Sequence, residues 1–377
     1  MTSIGGAGSA GMVDWNLAVA TATRLVRPGP EVSRDEARAV VAELRRHAKA
    51  SEEHVRGFTR MGEAGVHETP VLVVDRPGWV RANVAGFREI LKPLLDKMEQ
   101  RRGGTPGGTV LGAVGGKVTG VELGMLLSFL SSRVLGQYET FAPATRELPA
   151  AENGGGRLLL VAPNIVHVER ELDVQPHDFR LWVCLHEETH RTQFTAVPWL
   201  RDHLEGEIQS FLGETDVDPM TVLERIRDAV QSLAGGRTEG EEGDDGHSLV
   251  ELVQTPAQRE ILGRLTAVMS LLEGHADFVM DGVGPDIVPS VAEIREKFQQ
   301  RRARGASRLD LALRKLLGLD AKLRQYRDGE RFVRAVVEQV GMDGFNRVWT
   351  SPNTLPTKAE IAKPADWVAR VHRRAEP

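Results

Sequence analysis

Leu185-His186-Glu187-Glu188-Thr189-His190 reads H-E-x-x-H inside a segment with helical apolar spacing. Residues four apart on a helix share a face, one turn above each other. His186 and His190 would therefore present two imidazoles side by side, spaced to grip one ion. Glu187 is one step round, within reach of a water on that ion. Two neutral imidazoles and a carboxylate base are what zinc-dependent hydrolysis requires. The bland alternative is a surface helix with solvated histidines. The run Leu181-Trp182-Val183-Cys184-Leu185 argues against it, because a helix apolar on nearly all sides is a buried one. Histidines and acids entering such a helix need partners, and a metal would supply them. Asp178, after Pro176, predicts the helix start, and Pro198 predicts its end.

Zinc needs a third protein ligand and an open position. Gln193 and Ala196 stand where a metzincin pattern needs glycine and histidine, so that solution fails. The chain offers instead Leu272-Glu273-Gly274-His275-Ala276-Asp277. Glu273 and Asp277 are again four apart. Glu273 is expected to complete the coordination, and Asp277 to accept the remaining N–H of a ligand histidine. His275 falls off that face and is left out of the ligand set. Gly274 and Ala276 are small enough to let helices approach closely. The alternative, a solvated acidic pair, fits poorly with Val268, Met269, Leu271, Leu272, Phe278, Val279 and Met280 around it.

H-E-x-x-H joined to a later E-x-x-x-D resembles the gluzincin branch of the zincin metallopeptidases. Several stretches are more closely similar to an actinobacterial family described as type 2 zincin-like metallopeptidases, some of whose members carry a label of association with coenzyme F420 biosynthesis. These are Val13-Asp14-Trp15, Asp75-Arg76-Pro77-Gly78-Trp79-Val80, the segment from Leu185 to Phe194, Leu272 to Asp277, and Gly344-Phe345-Asn346-Arg347-Val348-Trp349. The resemblance spans nearly the whole chain from residue 13 and implies a zincin fold with a zinc site. The expected fold class is mainly α, with a small sheet beside the metal-binding helix.

The 377 residues suffice for a large core, and the net charge of −5 gives no sign of bulk nucleic-acid binding. Cys184 is the single cysteine, so no internal disulfide forms; a buried structural thiol in a reducing, cytoplasmic setting is expected. Residues 1–12 read as a flexible Gly/Ser/Ala tail with no basic start, and no apolar run approaches membrane-spanning length. Residues 13–373 are expected to form one unit: a helical part to residue 150, then the part carrying the metal site. The acidic, glycine-rich stretch 235–246 reads as a mobile insertion between the two metal-binding helices.

Helices are expected over Asp14 to Arg27, Ser33 to Glu63, Trp79 to Glu99, and Val110 to Tyr138. In the last, Gly116, Gly120, Gly124 and Ser128 suggest tight packing; Gly115-Gly116-Lys117 fails as a phosphate loop, since Leu111 and Val118 break the pattern. Further helices are expected over Asp202 to Ala234, Glu251 to Asp281 and Leu309 to Val340. Thr69 to Asp75 reads as a short extended piece. Arg157 to Ala162 is the clearest strand, continuing through Ile165 to Val168, and Leu159 to Val168 is a candidate rail for extended substrate backbone. His167, His177 and His203 are weaker rivals as ligands, because none has a paired spacing.

Three functions stay open: a zinc peptidase acting on peptide bonds; a zinc hydrolase of a non-peptide amide or ester; and a zincin scaffold without catalysis, which would have no use for Glu187. Tyr326, one of two tyrosines, is a candidate second electrophile.

Overall fold

The computed structural model describes residues 12–62, 69–102, 108–141, 143, 149, 156–214, 255–304 and 319–373. In chain order the elements are α1 (Trp15–Leu25), α2 (Arg34–Thr59), β1 (Val71–Val74), α3 (Arg76–Arg102), α4 (Gly108–Ser131), β2 (Gly136–Glu139), β3 (Arg157–Val161), α5 (Ala162–Leu172), α6 (Pro176–Ala196) and α7 (Pro198–Gly213). They continue with α8 (Pro256–Gly282), α9 (Val291–Arg304), α10 (Leu319–Phe345), α11 (Lys358–Ala362) and α12 (Pro364–Arg373). The fold is mainly α with one small sheet, as expected.

Local chemistry sets the helix starts. The Asp14 carboxylate accepts from Leu17 N at 2.9 Å, and Ser33 Oγ from Glu36 N at 3.1 Å. α6 and α7 open on Pro176 and Pro198, where a missing N–H is no loss. Thr255 and Gln258 form a capping box at the head of α8.

Three strands lie in the order β1-β3-β2, with β1 parallel and β2 antiparallel to β3. Three expectations fail here. The apolar run of α4 stops at Ser131, where the Ser131 and Ser132 hydroxyls turn back onto the carbonyls of Ser128 and Phe129. Residues 136–138, expected to end that helix, fall in β2 instead. Ile165 to Val168, expected to extend the strand, belong to α5, which opens on Ala162-Pro163. β3 is the central strand, hydrogen-bonded on both sides, so it has no free edge for substrate backbone; the expected rail over Leu159 to Val168 is wrong on topology.

Three apolar clusters organise the core. One joins α2, α5 and α6 around Leu44, Ile165, Phe179, Trp182 and Leu185. A second joins α7, α8, α10 and the C-terminal helices around Leu271, Phe332, Phe345 and Trp367. The third packs α1, α3 and α4 on one face of the sheet. α8 contributes to both of the first two, through Val279 and Met280 and through Val268 and Leu272.

The small residues of α4 do allow close packing. A Cβ on Gly120 would lie 2.5 Å from Asp14 O, and one on Gly124 2.7 Å from Ala18 O, so α1 runs against the bare backbone of α4. Gly274 also sits at a close crossing, with α10: a Cβ there would lie 2.1 Å from the Gly329 carbonyl carbon. No helix among the described residues is long and apolar enough to cross a membrane.

Candidate metal centre

α6 carries His186 and His190 on one face, and α8 crosses that face with Glu273. The two Nε2 atoms lie 3.2 Å apart, and the rings are T-shaped with centroids 4.8 Å apart. Glu273 straddles the pair, Oε2 at 3.7 Å from His186 Nε2 and Oε1 at 3.7 Å from His190 Nε2. One donor atom from each residue falls within 4.8 Å of the others. Tetrahedral zinc with bonds of about 2.0–2.1 Å needs donor separations of roughly 3.3 Å. The donor set fits zinc in chemistry and spacing, and its side chains are only partly exposed.

The hydrogen bonds behind His190 orient its lone pair. Gln193 Nε2 donates to Leu272 O at 2.9 Å and faces His275 Nδ1 at 3.0 Å. That leaves Gln193 Oε1, 2.9 Å from His190 Nδ1, as the acceptor. His190 then carries its proton on Nδ1 and turns an unprotonated Nε2 toward Glu273. His275 can accept from Gln193 only when neutral. Complete burial, with a smaller contribution from His190, pulls its pKa down to about 3, so it stays neutral. On the other imidazole, Asp277 Oδ1 lies 3.6 Å from His186 Nδ1, beside the nitrogen it was expected to serve.

Glu187 projects toward the sheet and is 6% exposed. A Cβ on Gly136 of β2 would lie 2.5 Å from Glu187 Cγ, so the strand passes directly over this carboxylate. Burial, and after it the charge on Glu273, push the Glu187 pKa well above the usual carboxylate range. Glu188 serves a different end. It pairs with Arg191 at 2.9 Å, and Arg191 also reaches Glu52 at 3.0 Å. Burial raises its pKa to about 7, against the pull of Arg191.

The remaining candidates scatter. His167 on α5 is exposed, 3.8 Å from Glu171, and His203 lies against the Trp199 ring. His177 sits at the start of α6 beside Glu43, away from the His186 pair. Cys184 is buried with its Sγ 3.8 Å from Leu44 O, and burial pushes its pKa up. Tyr326 lies on α10, but its side chain is outside the described residues, as is the whole acidic stretch 235–246. The other tyrosine, Tyr138 of β2, stacks on Phe194, one turn past His190, and burial raises its pKa to about 12.

Sequence reasoning missed two parts. Gln193 was weighed only as a failed metzincin glycine, although its place three residues after His190 puts it on the ligand face. Gly136 and its strand were hidden in an apolar run that reads as helix.

The profile of a family described as zincin-like metallopeptidase matches residues 13–368. Among solved structures, the chain is similar to a protein from Chloroflexus aurantiacus, provisionally assigned as a hydrolase with a novel fold. The two are 30% identical, with a TM-score of 0.67, over 96% of this chain and 99% of that one. No curated protein matches the chain.

Proposed function

The chain belongs to the zincin-like metallopeptidase family, and we propose that it is a zinc-dependent hydrolase cleaving peptide bonds, with His186, His190 and Glu273 as the metal ligands and Glu187 as general base. The observation that carries this reading is the convergence of three side chains, from helices far apart in sequence, within 4.8 Å. Zinc held there would polarise a substrate carbonyl and acidify a water at neutral pH.

Glu187 takes the proton of the attacking water and delivers it to the leaving amine. Gly136 lets β2 lie against it. Among the described residues β2 pairs with β3 on one side, and strand addition at its other edge would lay an extended peptide beside Glu187. This edge, not β3, is the rail we propose for substrate.

The test pairs a peptide-library digest with a panel of non-peptide amides and esters. Peptide products in the wild type, none in Glu187→Gln, and loss of the bound ion in His186→Ala and Glu273→Ala are expected. Turnover confined to the amide and ester panel would keep the hydrolase and remove the peptidase. Equal turnover in Glu187→Gln would remove Glu187 as base.

A further inference from the structure

A second set of donors lies at the other end of α6. Glu43 and His47 are one turn apart on α2, and His177 stands in the first turn of α6, which packs along α2. Glu43 Oε1 is 2.9 Å from His177 Nδ1 and 3.4 Å from His47 Nε2. One donor atom from each of the three falls within 4.8 Å of the others, as in the His186 site. The imidazoles repeat the arrangement of the H-E-x-x-H pair: T-shaped, centroids 4.6 Å apart here and 4.8 Å there.

We propose that Glu43, His47 and His177 form a second divalent-cation site, suited to zinc, that fastens the first turn of α6 to α2. Two observations point to a ligand rather than to a hydrogen-bonded cluster. His47 is 7% exposed, and its buried Nε2, aimed at the shared Glu43 oxygen, makes no hydrogen bond. A buried imidazole nitrogen held only by a 3.4 Å contact to a carboxylate is poorly satisfied, and a cation between the two would satisfy it. The Glu43 carboxylate is also already divided: Arg180 holds Oε2, and Glu169 in turn neutralises Arg180, which leaves Oε1 to face both rings. The exposed His177 leaves the fourth position to water. The positive end of the α6 dipole faces this site, so it binds more weakly than the His186 site.

The measurement is zinc uptake by the full chain, by calorimetric titration with Zn2+ alone, in wild type, His177→Ala, His186→Ala and the double variant. His177 is on the surface, so its loss leaves the core intact, and circular dichroism checks the fold. The wild type is expected to bind about two ions, the weaker one absent from His177→Ala and retained in His186→Ala, with none bound by the double variant. Wild type and His177→Ala binding the same number of ions with the same affinities overturns this inference and leaves the function proposed above standing. A single wild-type ion that survives His186→Ala and is lost with His177→Ala does the reverse.

Discussion

Glu187 sits where a negative charge is poorly tolerated, under Gly136 and beside Glu273. That placement has opposite consequences for catalysis and for stability. Glu187→Gln keeps the metal donors and removes the base, so turnover should fall by roughly 10²–10⁴-fold with zinc content unchanged. For the metal-free protein the sign is reversed. The folded pKa lies above the ordinary value of 4.5, so ionisation penalises the fold increasingly as pH rises past that value. Metal-free Glu187→Gln should therefore be more stable than metal-free wild type near neutral pH, with the gap closing as pH falls toward 4.5. Urea denaturation at several pH values reads this directly; a gap independent of pH would mean the carboxylate is not the source. Gln193 would act on a metal held by His190 through that ring's Nδ1. Gln193→Leu removes the acceptor at Nδ1 and also strips Leu272 O and His275 of a donor. A loss of roughly 10–100-fold in zinc affinity is expected, with about 1–3 kcal/mol of destabilisation. Competition against a chromogenic chelator measures the first, and unchanged affinity would reduce Gln193 to a packing residue.

Among the elements, the crossing of α8 and α10 holds Glu273 in place from behind. Gly274 and Gly329 meet there, and a Cβ on Gly329 would lie 1.9 Å from Ser270 O. That obstacle is backbone, so a side chain can be accommodated only by parting the helices. Gly329→Ala should cost about 3 kcal/mol or more and weaken zinc binding, whereas Gly206→Ala on α7, with open space around its Cβ, should do neither. Thermal melts of the two variants side by side decide it; equal melting points would show that the crossing yields cheaply. This crossing also shows what the sequence could reveal. The i, i+4 pairs on α6 and α8 are local patterns, so the three converging donors were readable from their own segments. The place of Gln193 on that face is equally local, but its role as acceptor is not, because which end of its amide meets His190 depends on His275, 82 residues away. β2 was missed because four residues are too few to show a period, and because the apolar run before it continues through Leu135. The centre-versus-edge question for β3 had no local answer, since strand order depends on which segments return to pair with it.

For the whole molecule, the His186 site lies between two bodies of core. α6 belongs to the cluster shared with α2 and α5, while α8 leads into the cluster shared with α10 and the C-terminal helices. An ion gripped by both helices, as proposed, would tie those clusters together, and its removal would act on the stability of the chain as a whole. A ligand that binds only the folded state, at a hundred times its Kd, contributes about 2.7 kcal/mol. For a chain of 377 residues unfolding cooperatively, that corresponds to about 3 °C in Tm. The measurement belongs in the His177→Ala background, where the α2–α6 cluster has lost one of its donors and contributes least. Zinc should raise Tm there by a few degrees over a chelator-treated sample, and Glu273→Ala should abolish the difference while keeping the same helical circular dichroism. If Glu273→Ala responds to zinc as strongly as its parent, the ion is held on α6 alone, and α8 has no part in the centre.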